Sequence, residues 1–261
     1  MWVRIPPPLP LLFNFGDASV NKILESIHAR KSVRAYTEQP IAQETLQKIL
    51  QAACAAPTAG DQQLYTILNI TDQGLKNSLA RTCDDQPFIA SAPVVLIFCA
   101  DCQKYYDLFE VVDCGPRTPG VGDLMLAVSD ANIAAQNAVM AAESLGLGSC
   151  YIGDIMERAE EHRALLDLPP FVFPAAMLVM GYPTPHQIER RKPERCPIES
   201  IVCENTYARK SGDELREMMA SKWQRTSLEE WAQAFCARKY HSDFAREMSR
   251  SVAKYIEAFA G

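Results

Sequence analysis

The sequence predicts a layered α+β fold in which helices cover a central β-sheet. Three observations support this fold class. Strand-like and helical patterns alternate along the chain. Residues 93–99 form a continuous apolar run, as expected for a strand covered on both faces. The Ala-rich segment 123–145 is apolar nearly all round, as expected for a buried helix. A chain of 261 residues with 48% hydrophobic composition can bury a large core.

The first half of the chain begins with two segments whose apolar residues recur at helical spacing. The first ends near Arg30 and the second ends before Pro57. The next predicted elements, in chain order, are a strand at 65–70, a helix at 72–81, a polar loop at 82–88, a strand at 93–99 and an irregular stretch at 101–122. A loop of that last length is often functional, so it is our candidate for substrate selection.

The second half of the chain continues the alternation. Its predicted elements are the central helix 123–145, a strand at 150–152, a helix near 156–166 and a strand at 175–181, which makes four strands. Gly146 and Gly148 end the central helix; they lack the third glycine and the preceding strand of a dinucleotide-binding turn. From Ser211 onward, polar helices carry large apolar residues, including Trp223 and Trp231. This pattern favours packing over cofactor binding, and we expect these helices to clasp a dimer.

Two motifs suggest a ligand. Residues 30–34 place two arginines, a lysine and a serine at a helix end, a grouping suited to a phosphate dianion. The plain alternative is a solvated basic face. Residues 56–63 form a turn of small residues in which a flat ring could approach the backbone, although such a stretch is usually just a loop. Together the motifs suggest a phosphorylated, planar cofactor.

Composition argues against several other classes of protein. A formal charge of −6 disfavours nucleic acid or an anionic membrane as the main partner. Nine cysteines without a disulfide framework favour a reducing compartment, so we expect a cytoplasmic protein. Cys99 and Cys102 have a redox-like spacing but no second ligand pair, so no metal is predicted. The proline-interrupted segment 1–16 does not fit a signal peptide, and nothing else is long enough to span a membrane.

Six segments taken together resemble the nitroreductase family of FMN enzymes. They are 28–36, 56–65, 91–96, 130–137, 145–153 and 191–197, and the resemblance runs from about Val20 to Tyr207. It implies a three-layer fold with a mixed central sheet and an intertwined homodimer with flavins at its interface. We place the exchanged arm at 198–203. We therefore divide the chain into an N-terminal extension at 1–18, disordered or packed against a partner, an FMN domain at 19–210 and a helical extension at 211–261.

The resemblance also implies a set of cofactor-binding residues. The early and late basic segments would hold the flavin phosphate and ribityl chain, the small-residue turn would line the ring, and the segment 151–153 would cover its other side near N5. These residues are Arg30, Lys31, Ser32, Arg34, Pro57, Thr58, Ala59, Gln63, Tyr151, Ile152, Gly153, Arg191 and Arg195. The chain departs from the family at Gly153, where several members carry an acidic residue, and at Asp61, which replaces a frequent Asn.

The implied function is an FMN-dependent oxidoreductase. It would move hydride from NADH or NADPH through flavin N5 to a small nitroaromatic, quinone or enone acceptor in a ping-pong mechanism. No catalytic side chain is required, and His28, His162, His186 and His241 are expected at surface or capping positions. The alternatives are other flavin chemistry, such as dehalogenation or flavin fragmentation, and a non-catalytic FMN-binding protein. The acceptor and the choice between NADH and NADPH stay open at this point.

Overall fold

Four strands form one antiparallel sheet at the centre of the fold. The computed structural model describes residues 21–222 and 226–260, so the expectations for residues 1–18 and for Trp223 lie outside the described residues. The strands are β1 (Tyr65–Asn69), β2 (Val94–Asp101), β3 (Gly148–Ile152) and β4 (Val172–Gly181), in the order β1-β2-β4-β3. The resemblance implied a mixed sheet, whereas the pairings between these four strands are all antiparallel. Parallel pairing among the described residues is limited to an isolated bridge between Ser32 and Ser149.

Helices cover the sheet and extend beyond it. In chain order they are α1 (Lys22–Ala29), α2 (Gln43–Cys54), α3 (Gln73–Thr82), α4 (Pro87–Ala90), α5 (Gln103–Val111), α6 (Val121–Ser144), α7 (Ala159–Leu165), α8 (Pro185–Glu189), α9 (Gly212–Met219), α10 (Leu228–Tyr240) and α11 (Asp243–Ile256). None of these described helices is both long and apolar enough to cross a membrane. The predicted α+β class and all four predicted strands are confirmed.

The core lies between the two central strands and α6. Every residue of β2 and of β4 is buried, which explains why both strands read as continuous apolar runs. On α6, Ala127, Ala131, Ala134 and Ala138 have no exposed surface. Their small side chains let the helix approach both the sheet and α2 closely.

Three local expectations need correction. The stretch 101–122 is not irregular throughout, because α5 occupies Gln103–Val111 and the irregular part is 112–120. The predicted loop 82–88 is shortened by α4, which has Pro87 in its first turn, where proline is tolerated. The predicted helix near 156–166 is interrupted, because Arg158 adopts a φ of +47° between a 3₁₀ turn and α7.

The segment 198–203, which we assigned to an exchanged arm, is a short 3₁₀ turn followed by residues without regular secondary structure in this chain. The turn covers Ile198–Ser200. The side chains of Ile201 and Val202 that follow are about two-thirds exposed. The exchange of this segment between two copies therefore stays a prediction.

Of the C-terminal helices, α11 packs against the main core. Tyr255 on α11 has no exposed surface and meets Phe173 edge to face, with ring centroids 5.1 Å apart. On the outer side of α11, both terminal nitrogens of Arg250 lie 2.9 Å from the carboxylate of Glu160 on α7. Tyr255 therefore fixes α11 to the sheet, whereas the role of the aromatic residues from Trp231 to Phe244 in packing between two copies stays a prediction.

Candidate functional site

A basic cavity lies where α1, α6, β3 and the late basic segment meet. Its volume is about 320 Å³, and Arg30, Tyr151 and Arg195 line it together with Gln136 and Lys192. Ile27 and Met140 complete the wall, and no carboxylate is among the lining residues. Three residues predicted from distant parts of the sequence are thus brought together around one space that carries net positive charge.

Side chains of each of the two basic segments around this cavity donate hydrogen bonds to backbone carbonyl groups of the other. We call this arrangement the reciprocal clamp. From the early segment, Lys31 Nζ donates to the carbonyl of Ile188 at 2.6 Å and to the carbonyl of Arg190. From the late segment, Lys192 Nζ donates to the carbonyl of His28 at 2.5 Å. The guanidinium of Arg190 donates to the carbonyl of Ser32. Both segments are therefore fixed relative to each other by contacts within the chain.

One polar atom of a residue that lines this cavity, Nε of Arg30, is buried without a partner. Nε of Arg190 and Oγ of Ser149, which precede lining residues in sequence by two positions, are buried without a partner as well. A buried donor without an acceptor costs about 1–3 kcal/mol, so these atoms are suited to a bound acceptor. Guanidinium groups match the oxygens of a phosphate in charge and in fork geometry. The residues present therefore fit the phosphate end of a flavin mononucleotide.

The small-residue turn, which we call the ring loop (57–63), is held by one buried carboxylate. Asp130 of α6 accepts hydrogen bonds from the backbone N–H of Ala59 at 2.9 Å and of Leu64 at 3.2 Å. The side-chain amide of Gln63 donates to the carbonyl of Cys54 at 3.1 Å, and its backbone N–H donates to Thr58 Oγ1 at 2.9 Å. The loop is therefore a fixed platform.

The ring loop and the basic cavity lie on different sides of α6. Asp130, which holds the loop, and Gln136, which lines the cavity, are six residues apart on this helix. That separation corresponds to about 9 Å along the helix axis and about 120° around it. None of Pro57, Thr58, Ala59 and Gln63 lines the basic cavity. Within one chain, these four residues therefore do not share a cavity with Arg30, Tyr151 and Arg195.

The other predicted residues occupy varied positions. The guanidinium of Arg34 lies over the ring of Phe88, 5.9 Å from its centroid. Arg191 pairs with Glu194 and has a side chain that is 85% exposed. At the end of β3, Ile152 is buried and Gly153 is exposed. Neither arginine lines the cavity; within the late segment, Lys192 and Arg195 do.

Sequence reasoning missed three residues that organise the site. Lys192 stands beside Arg191 in a segment that had been singled out, but only contacts distinguish the two. Asp130 was recognisable as a carboxylate at helical spacing from alanines that form the apolar face of α6, a position that calls for hydrogen-bond donors. Gln136 receives a hydrogen bond from the Tyr151 hydroxyl at 3.3 Å, which nothing in its local sequence indicates.

The expectation for His162 was wrong. Its imidazole is fully buried, with Nδ1 2.9 Å from the carbonyl oxygen of Ile155 and Nε2 2.7 Å from Thr82 Oγ1. Burial lowers the pKa of His162, which keeps the ring neutral. This histidine therefore joins α7 to α3. The side chains of His28, His186 and His241 are exposed, as expected.

An antiparallel sheet covered by helices, with a basic cavity and a small-residue platform beside its central helix, defines a protein built to bind a phosphorylated planar ligand. Sequence comparison identifies the group. The model of the Nitroreductase family matches residues 27–182, and the chain belongs to this family.

Individual relatives agree with this assignment. The chain is 32% identical over 240 residues to an FMN reductase [NAD(P)H] of Bacillus subtilis, covering 91% of this chain and 92% of that protein. It is 34% identical over 185 residues to an oxygen-insensitive NADPH nitroreductase of Salmonella typhimurium, covering 70% and 74%. Among solved structures, nitroreductase A from Vibrio parahaemolyticus superposes with a TM-score of 0.77 at 26% identity, covering 91% of this chain and 98% of that one.

Proposed function

We propose that this protein is an FMN-dependent NAD(P)H oxidoreductase that reduces a small organic acceptor of the nitroaromatic, quinone or enone type. The observation that carries the proposal is the basic cavity with the unpartnered Nε of Arg30. Family membership and relatives named as an FMN reductase and an NADPH nitroreductase support it. FMN, when bound, supplies a ring that takes up hydride from a nicotinamide and passes it on in a separate half-reaction.

In this proposal, the cations of the basic cavity hold the flavin phosphate. Arg30, Lys192 and Arg195 provide the charge, and Ser32 and Arg34 contribute from the same early segment. Tyr151, Ile152 and Gly153 cover one side of the ring. Lys31 acts mainly through the reciprocal clamp, because its ammonium already donates to two carbonyl groups.

A homodimer would complete the site. The ring loop and the basic cavity of one chain face different sides of α6, so a second copy is the natural source of the missing half. An apolar surface supports this inference: Ile23, Leu24 and Ile27 on α1 are 67%, 53% and 47% exposed, and Ile133 on α6 is 41% exposed. Ile27 also lines the basic cavity, so a partner covering this surface would close the cavity as well.

We further propose a cytoplasmic location. All nine cysteines are free, as expected in a reducing compartment. Burial raises the pKa of Cys83 and of Cys99 to about 12, so these thiols are unreactive in the core.

The first test is an absorbance spectrum of the purified protein before and after anaerobic addition of NADPH or NADH. A two-band flavin spectrum that bleaches is the expected result. A flavin that stays oxidised with both nucleotides would favour a non-catalytic binding role, and a protein that takes up no added FMN would refute the proposal. For the ping-pong mechanism, double-reciprocal plots of rate against NAD(P)H concentration, measured at several acceptor concentrations, should give parallel lines.

The second test addresses the phosphate site. The double substitution Arg30→Ala and Ser32→Ala should weaken FMN retention at least tenfold, because it removes a charge-assisted contact worth about 1.5–3 kcal/mol. Arg81→Ala is the matched control, since Arg81 is exposed and pairs with Glu161 outside the cavity. Equal flavin occupancy in both variants would contradict the assignment.

A further inference from the structure

The ring loop has a backbone conformation that is unfavourable for part of its sequence. Gly60, Asp61 and Gln63 have φ values of +58°, +60° and +49°. Glycine adopts this left-handed region freely and aspartate is enriched in it, whereas for a glutamine it costs free energy. Contacts around Gln63 must therefore hold its backbone in place.

Lys104 of α5 supplies such a contact. Its ammonium Nζ donates to the carbonyl of Tyr65 at 2.8 Å and to the carbonyl of Gln63. The same nitrogen lies 5.8 Å from the centroid of the Tyr65 ring, within the range of a cation–π contact. One cation therefore joins the last residue of the ring loop to the first residue of β1.

A buried carboxylate in turn positions Lys104. Asp101, at the end of β2, is 6% exposed. One of its oxygens accepts the backbone N–H of Lys104 at 3.2 Å, and the other accepts the hydroxyl of Thr66 on β1 at 2.5 Å. The backbone N–H of Asp101 donates to the carbonyl of Leu64 at 3.0 Å. The start of α5 is therefore fixed to the strand that follows the ring loop.

The peptide group between Gln63 and Leu64 is bound by opposite charges at its two ends. Its carbonyl oxygen accepts from the Lys104 ammonium, and its N–H donates to the Asp130 carboxylate at 3.2 Å. A cation at the oxygen and an anion at the N–H polarise an amide in the same sense, so each hydrogen bond strengthens the other. The two charged residues therefore act on the end of the ring loop as a pair.

We propose that Lys104 is a positioning residue for the flavin: together with Asp130, it holds the ring loop in the backbone arrangement that contacts the flavin ring. This inference rests on the proposed function, in which the ring loop lines that ring. Lys104 is not among the residues that line the basic cavity, so its effect on the flavin passes through the loop. Without its ammonium, Gln63 loses a contact that opposes its return to the favoured region of φ.

The test compares two lysines that make the same kind of contact. Lys76 of α3 also donates from Nζ to two carbonyl groups, those of Ala92 at 3.0 Å and Pro93 at 3.2 Å, which lie outside the ring loop. Lys76→Met is therefore a matched control for Lys104→Met. Both substitutions remove an ammonium and keep an unbranched side chain, and Lys104→Met alone acts on the loop.

The first readout is hydrogen exchange of the segment 57–65, measured by mass spectrometry on the full chain without FMN. The amides of Ala59 and Leu64, which donate to Asp130, should exchange about tenfold faster in Lys104→Met and at an unchanged rate in Lys76→Met. Lys104→Arg keeps the cation and should exchange within about threefold of the unmodified protein. A variant that lost only overall stability would not speed exchange in this segment selectively.

The second readout is the bound flavin. The Kd for FMN, from quenching of flavin fluorescence, should rise about tenfold in Lys104→Met and less than twofold in Lys76→Met. At saturating FMN, the visible circular dichroism of the flavin should change in Lys104→Met and be restored in Lys104→Arg. In the double variant with Asp130→Asn, the rise in Kd should be smaller than the product of the two single effects.

Unchanged loop exchange and unchanged Kd in Lys104→Met would overturn the proposal and leave the oxidoreductase intact. Equal changes in Lys76→Met and Lys104→Met would also overturn it, because they would reduce Lys104 to a role in overall stability. If the unmodified protein binds no FMN, the proposed function fails, and loop exchange still decides whether Lys104 holds the loop. If Lys104→Met loses helical circular dichroism, Lys104→Gln removes the charge with a polar side chain and should shift loop exchange in the same direction.

Discussion

Replacing Asp130 by asparagine should detach one end of the ring loop. The carboxylate is 2% exposed and accepts from two backbone N–H groups, those of Ala59 at 2.9 Å and Leu64 at 3.2 Å. An asparagine of the same shape has one acceptor oxygen, so its amide nitrogen must face one of these donors. The change removes one hydrogen bond to a charged group and leaves an N–H unpaired.

The structure gives this change a magnitude. A buried hydrogen bond to a charged acceptor contributes about 1.5–3 kcal/mol. Part of its loss is offset because a neutral amide costs less free energy to bury than a carboxylate, so we expect the free energy of unfolding to fall by about 2 kcal/mol. With a urea m value of about 3 kcal/mol/M, the unfolding midpoint should fall by roughly 0.7 M. Because the loop is proposed to contact the flavin ring, FMN affinity should also fall.

The assay is urea unfolding followed by circular dichroism at fixed protein concentration, with and without saturating FMN. Asn132→Ala is the matched control on the same helix, since the Asn132 side chain is exposed and bonds only to its own helix at Val128. This control should stay within about 0.5 kcal/mol of the unmodified protein. An Asp130→Asn midpoint that matches the control would refute the view that this carboxylate anchors the loop.

Three further predictions concern buried groups. Burial and nearby carboxylates raise the pKa of Glu157 to about 7, above its value in the unfolded chain, so the free energy of unfolding falls as pH rises from about 4.5 to 7. The Glu157→Gln variant should not show this fall. In urea titrations it should be about 1–3 kcal/mol more stable than the unmodified protein at pH 8 but not at pH 5. Burial lowers the pKa of His162, so this residue contributes stability that is lost as pH falls below about 6.5; His162→Gln should be less stable at pH 7 yet show a flatter pH dependence below it. At Gly148, an added Cβ would lie 2.7 Å from Val33 Cβ, so Gly148→Ala should cost about 1–3 kcal/mol in thermal unfolding, whereas Gly122→Ala, with no atom within 4 Å, should be neutral or slightly stabilising.

The sequence contained most of the layered architecture because apolar runs and helical spacing are local properties. β2, β4 and α6 were predictable for that reason, and α6 is found within two residues of its predicted start. The helix α5 was missed because prolines and glycines from residue 115 onward dominated the reading of the whole stretch. No proline or glycine lies within residues 103–111, and this is where the helix forms.

The parts of the site that sequence reasoning could not supply depend on distant partners. Asp130 meets Ala59 across 71 residues, and Lys192 meets the end of α1 across more than 160. His162 is buried because Thr82, 80 residues away, offers it a hydroxyl. A pattern within one segment indicates which residues could carry a charge or a hydrogen bond, whereas only the fold decides which partner receives it.

The reciprocal clamp has a thermodynamic consequence for loading the protein. Side chains of two segments more than 150 residues apart in sequence donate hydrogen bonds to each other's carbonyl groups. The backbone of these segments therefore loses little conformational entropy when an anion binds. The charges that such an anion meets are held in position by folding itself. A protein stripped of its phosphorylated ligand should therefore retain the shape of the basic cavity and reload on simple mixing, without a refolding step.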